Sequence, residues 1–144
     1  MTIVFDSNIA EIEAKFDKWT KKFRNKDETI LKPFLEKEVK RTKKRIRTDK
    51  RTPDGIPWAI WAESTAISRA RKGTALRGLL YDTGALLKSI EYDINNDRFA
   101  VGSGVDYAEY LQEGTDNMPA REFLGFNERS EADILWLTKT IFRT

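Results

Sequence analysis

Ile9, Ile12, Phe16, Trp19 and Phe23 recur at spacings of three and four, with Lys and Asp/Glu on the opposite face. That is the period of an amphipathic helix. Asn8 with Glu11 three residues later forms its capping pair, the amide oxygen accepting from a free first-turn N–H. Residues 24–29 break the pattern, and Thr29 is the expected cap of a second helix. Its apolar stripe is thinner: Leu31, Leu35, Val39 and Ile46. Pro33 falls in the expected first turn, where amides lack intrahelical partners and a missing N–H costs nothing. Beyond Arg41 the helix is mostly charge.

Residues 51–61 change register. Pro53-Asp54-Gly55 is a turn signal, since proline presets φ and glycine accepts a positive φ. Pro57 keeps the next stretch from entering a helix early. A short helix is expected over 63–73, closing at Gly73, while 74–80 is ambiguous between strand and loop. The clearest β signal follows: Ile90, Tyr92 and Ile94 alternate with Glu91 and Asp93, which suits a strand with one wet face. Residues 95–97 turn the chain, and Phe99 and Val101 alternate in the return strand of a hairpin. Gly102 and Gly104 release it into a short helix over 105–114, stopped by Gly114. Residues 115–126 read as extended or looped around Pro119, and Ser130 and Asp133 cap a last helix with Ile134, Leu135, Leu137 and Ile141. The expectation is one α+β domain over 1–144: N-terminal helices, a central antiparallel hairpin or small sheet, and a short helix and a C-terminal helix packed on it.

Composition narrows what such a domain does. With 144 residues and 40% hydrophobic, the chain can bury a core. No apolar run approaches the ~18–20 residues that span a bilayer, and the N-terminus lacks a signal-peptide pattern, so a cytoplasmic product with no membrane contact is expected. Cys and His are both absent. Thiol nucleophiles, disulfides, the imidazole base and the usual zinc ligands go with them, so no cofactor is expected. An enzyme built from this chain would need carboxylates with Mg²⁺, a Lys, or a Ser activated by Lys.

The net charge of +3 is unevenly placed. Between Lys37 and Arg51 nine basic residues stand against Glu38 and Asp49, a local +7 that leaves −4 for the remainder. Lys40, Arg41, Lys43, Lys44, Arg45 and Arg47 are therefore candidates for contact with DNA phosphate or an acidic partner. The alternative is a solvated or protein-facing helix side. Only Phe34 supplies an aromatic between Phe23 and Trp58, so base stacking is poorly supported.

Other candidates carry less. Asp82-Thr83-Gly84 matches one half of an aspartic-protease pair, but that chemistry needs two such aspartates in a strand-rich chain. A phosphate cradle needs several glycines before a helix, and here one stands alone. A turn with local side-chain bonds is the simpler reading. Trp58 and Trp61 are expected core or interface anchors. Glu109, Glu113 and Asp116 cluster at one helix end, where exposed acids are far commoner than metal sites. Arg121 is expected to pair with a carboxylate or reach a partner. No nucleophile, base and orienter assemble.

Three stretches, 53–65, 79–92 and 101–126, carry a resemblance together. Pro53, Asp54, Gly55 and Trp58 come first. Thr83, Gly84, Leu86, Ser89 and Ile90 follow, then Val101 and Gly102. Tyr107, Ala108, Gly114 and Thr115 precede Pro119, Ala120, Arg121, Phe123, Leu124 and Gly125. In this order they resemble the phage virion morphogenesis family, the small tail-completion or neck proteins of Mu-like and related tailed phages. The likeness covers roughly 50–127; the N-terminal helices and basic stretch carry no family signature, and Gln112 stands where members often have His or Gln. The resemblance implies a non-catalytic virion part at the neck or tail, made in the bacterial host cytoplasm. Its partners would be other neck and tail proteins and further copies of itself in an oligomeric ring. The runner-up is a small nucleic-acid-binding module using residues 37–51. A carboxylate-based metal-dependent hydrolase is third.

Overall fold

Residues 27–49 form one continuous helical element in the computed structural model, which describes residues 2–4, 27–95 and 98–142. The helix expected over Ile9–Phe23 with its Asn8 cap, and the Asn96-Asp97 tip of the hairpin, lie outside the described residues. Helix α1 runs Asp27–Lys44. It starts at Asp27, two residues before the expected cap at Thr29. Pro33 therefore lies in the second turn rather than the first. Phe34, Leu35, Glu38, Thr42, Arg45 and Ile46 are all buried. This face begins apolar with Phe34 and Leu35, turns polar at Glu38, Thr42 and Arg45, and returns to the core at Ile46. The last turn widens into a π-turn, Arg45–Asp49, closed by the N–H of Lys50 on the Arg45 carbonyl at 2.9 Å.

Strands β2 (Ile90–Asn95) and β3 (Arg98–Ser103) pair antiparallel, with Ile90 opposite Ser103, Tyr92 opposite Val101 and Ile94 opposite Phe99. The alternation read from the sequence holds: along β2 the burial changes residue by residue. Strand β1, Thr2–Val4, adds to the far side of β3 and makes it central, in the order β1-β3-β2. No strand was expected there, since three residues are too few to display alternation. Helix α1 crosses β2 and β3, and the Phe34 ring meets Phe99 edge-on at 6.3 Å and stacks on Phe126 at 6.0 Å.

The remaining helices are α2 (Glu63–Arg71), α3 (Ala85–Ser89), α4 (Ala108–Glu113) and α5 (Glu128–Phe142). The ambiguous stretch after Gly73 is neither strand nor open loop but contains a 3₁₀ turn, Ala75–Arg77. The cap of α5 is Asn127, three residues before the expected Ser130. Asn127 Oδ1 accepts from the N–H of Arg129 and of Ser130, both at 3.1 Å, while Ser130 Oγ accepts from the N–H of Asn127 at 3.2 Å. This reciprocal arrangement satisfies the first-turn donors. It frees Asp133 to face α1, where it pairs with Lys37 at 2.8 Å and Arg41 at 2.6 Å.

Candidate assembly surface

Residues 121–127 form neither helix nor strand, yet Arg121, Phe123 and Leu124 are buried. Buried backbone without a ladder must find its hydrogen bonds elsewhere. Gln112, on α4, supplies three of them. Its Oε1 accepts from the N–H of Phe123 and of Leu124 at 3.0 Å each, and its Nε2 donates to the Leu124 carbonyl at 3.0 Å. Arg45 donates to the Phe123 carbonyl at 2.6 Å, and Trp58 Nε1 to the Glu122 carbonyl at 2.9 Å. Asn127 Nδ2 reaches the Pro53 carbonyl at 3.1 Å. Residues from four parts of the chain thus converge on one extended segment.

The glycines here are close-approach positions. A Cβ on Gly114 would stand 2.6 Å from the backbone nitrogen of Ala120, and its φ is +78°. A Cβ on Gly125 would stand 2.7 Å from the Pro53 ring. Arg121 is 5% exposed and reaches no carboxylate among the described residues. Its Nε donates to the Ala59 carbonyl at 2.9 Å and its Nη2 to the Ile60 carbonyl at 3.2 Å. Burial pushes its pKa below the ordinary arginine value.

The Asp82-Thr83-Gly84 turn has a local job. Thr83 Oγ1 accepts from the N–H of Ala85 at 3.2 Å, and Gly84, at φ +84°, precedes α3. The turn therefore starts a five-residue helix, and the hairpin begins only after it. Leu86 and Ile90 enter the core, and Ser89 and Ser103 hydroxyls meet at 2.6 Å. The Asp82 carboxylate pairs with Arg69 at 3.5 Å.

Much of the basic stretch is spent inside the fold. Arg45 is buried, and desolvation holds its pKa below the ordinary value against the opposing pull of Glu38 and Asp49. Arg41 bridges Glu38 and Asp133. Partial burial works against its charge, but those two carboxylates outweigh it and its pKa is raised. Glu38, 2% exposed, also accepts from Ser130 Oγ at 2.9 Å. Lys44 pairs with Asp49 at 3.6 Å, and Lys50 Nζ donates to the Leu79 carbonyl at 2.6 Å. Lys40, Lys43 and Arg47 make no ion pair among the described residues.

Among the described residues two open surfaces stand out, besides the exposed Ile56 and the exposed Leu135 and Trp136 of α5. The first is an arm, residues 59–82, that leaves the body after Trp58. Neither α2 nor the 3₁₀ turn contains a buried residue, and Ile60, Ile67 and Leu76 are 83%, 46% and 102% exposed. Its base is tied down by Arg121 and Lys50 and by Leu79, Leu80 and Tyr81, which pack against the core, while Arg69 braces the arm internally. The Arg69 guanidinium lies 4.8 Å from the centre of the Trp61 ring and donates to the Tyr81 carbonyl at 3.3 Å. A shallow polar cleft on the arm is lined by Ser64, Ser68, Arg69 and Asp82. The second surface is α4 and its flanks, where Asp106, Glu109, Glu113 and Asp116 are exposed beside Tyr107 and Tyr110. No group of three or more metal-ligating side chains assembles among the described residues. Asp54, Gly55, Thr83, Pro119 and Ala120 are exposed as well, at the rims of their turns.

Glu38 and Asn127 have no place among the candidates, and Gln112 stands there only as a family-pattern position. Gln112 had a signal: it lies four residues after Ala108, on the inward face of a short helix. Glu38 lies on the stripe of Leu31, Leu35 and Ile46, where a carboxylate needs a partner that the sequence alone does not identify.

No significant match is found among curated proteins or among solved structures. Residues 8–142 match the family model described as the phage virion morphogenesis family.

Proposed function

From the chain's membership of the phage virion morphogenesis family, a structural family that implies no catalysis, we propose that it completes the tail or joins head to tail. It does so as one subunit of an oligomeric ring in contact with other neck and tail proteins, and the whole 1–144 chain acts as one unit. The observation that carries this reading is the contrast between a segment tied down by Gln112, Arg45 and Trp58 and an arm with no buried helix residue. A rigid body with an unpacked projection suits a part whose remaining contacts lie on its neighbours. Among the described residues no helix is long and apolar enough to cross a membrane.

The second reading, contact with DNA backbone, retains Lys40, Lys43, Lys44 and Arg47, spaced along one helical side. It loses Arg45 and Arg41 to internal bonds.

An in-frame deletion in the parent phage or prophage, viewed by electron microscopy, tests the role. Separate heads and tails, or tails with abnormal ends, rescued by the protein supplied in trans, are expected. Normal infectious particles would sink it. DNA binding that falls steeply with salt and collapses on Lys40→Ala with Lys43→Ala and Arg47→Ala would then favour the second reading.

A further inference from the structure

A nine-residue helix is marginal in water by itself, and most helices gain their stability by burying one face. Helix α2 buries none, although Ile67 and the nearby Leu76 offer apolar surface. Between residues 67 and 77 the arm carries four basic residues and no acidic one: Arg69, Arg71, Lys72 and Arg77. Residues 105–118 are the converse. They carry four acidic residues and no basic one, with Tyr107 and Tyr110 44% and 59% exposed among them. No ion pair joins the two surfaces within one copy, among the described residues.

We infer that the arm of one copy docks on the α4 surface of the next copy, basic and aliphatic against acidic and aromatic. The inference rests on the ring reading above and says which surfaces build the ring. The surfaces differ, so the contact is heterologous, and repetition by rotation closes it into a ring. Opposite charge sets the register and suppresses arm-to-arm pairing, while Ile67, Leu76, Tyr107 and Tyr110 supply the desolvated contact. DNA phosphate would satisfy the cations of the arm, but it has no use for the exposed Ile67 and Leu76 and leaves the acidic surface without a counterpart.

Charge exchange tests this in particles. A deletion phage is complemented with full-length chain carrying Arg71→Glu and Lys72→Glu, or Glu109→Lys and Glu113→Lys, or all four. All four positions are exposed, and none holds the arm to the body. Titre and the products of a lysine-reactive cross-linker on purified particles are read. Each pair alone is expected to lose both titre and the ladder of multimers, and the fourfold exchange to restore them. Loss in both pairs without restoration overturns the inference, because the surfaces then meet something other than each other. Wild-type titre and ladder from either pair also overturn it and leave the ring reading standing. A wild-type chain that cross-links only as a monomer in particles takes down both.

Discussion

Residues 121–127 form no regular element, whereas residues 63–77 contain a nine-residue helix and a 3₁₀ turn. Their fates in the fold are opposite. The first segment has no ladder of its own, but side chains of Arg45, Trp58 and Gln112 reach in from elsewhere, its own Asn127 reaches out to Pro53, and Phe123 is wholly buried. The second contains a regular helix whose backbone bonds are local, and none of its residues is buried. Regular secondary structure is therefore a poor guide to where this protein is held together. What distinguishes the two is long-range bonding and apolar burial, the quantities that set local opening free energy.

The comparison breaks most easily at Trp58. Trp58→Ala removes a buried ring and the donor to Glu122, and is expected to cost about 3–5 kcal/mol in urea unfolding. A cost near zero would mean that segment 121–127 stands without its tryptophan. Gln112→Leu keeps the volume but strips two buried N–H groups and one carbonyl of their partners, an expected loss of roughly 2–4 kcal/mol by the same measurement. Arg121→Met sharpens the boundary between the regions, because Arg121 is the tie from the first segment to the carbonyls of Ala59 and Ile60. An expected loss of about 1–3 kcal/mol should come with faster proteolysis inside 59–82 than global unfolding accounts for. Unchanged arm cleavage would show that Lys50 and the packing of Leu79, Leu80 and Tyr81 suffice to hold it.

Smaller effects lie outside the hub. Hydrogen bonding from Lys37 holds the Asp133 carboxyl below the usual carboxylate range, with burial opposing and Arg41 adding to the shift. A lowered native pKa gives stability that is present above the unfolded value of ~3.9 and is lost as pH falls through the native one. Asp133→Asn should flatten that acid slope and cost about 1 kcal/mol or less at neutral pH, since the pairs are partly solvated. Ile67→Ser with Leu76→Ser should change urea stability by less than ~0.5 kcal/mol, as both side chains already face water. A larger loss would place them in a core and end the distinction between arm and body.

Patterning made the hairpin legible, because strand alternation needs only neighbours two apart: Ile90, Tyr92 and Ile94 pair as their spacing implied. The α+β class was legible for the same reason, and so was the stop at Gly114. The cap of the last helix was misplaced because Ser130 and Asn127 are both good caps, and the choice depended on which one Glu38 would occupy. The +7 segment was legible as charge but not as surface. Whether a cation is solvent-facing depends on carbonyls and carboxylates up to 96 residues away, such as Asp133 for Lys37 and Arg41.

Local order and composition, then, belonged to the sequence alone: a strand pair, glycine stops, an absence of Cys and His, and motif stretches in family order. These depend on periodicity and residue chemistry, which act over a few positions. The tertiary structure alone decided that Gln112 and Arg45 hold the segment from Arg121, that Arg121 donates to the carbonyls of Ala59 and Ile60, and that the helix at Glu63–Arg71 stands unburied. Each of those depends on which distant groups meet once the chain closes, and hydrogen bonding and burial are properties of that closure.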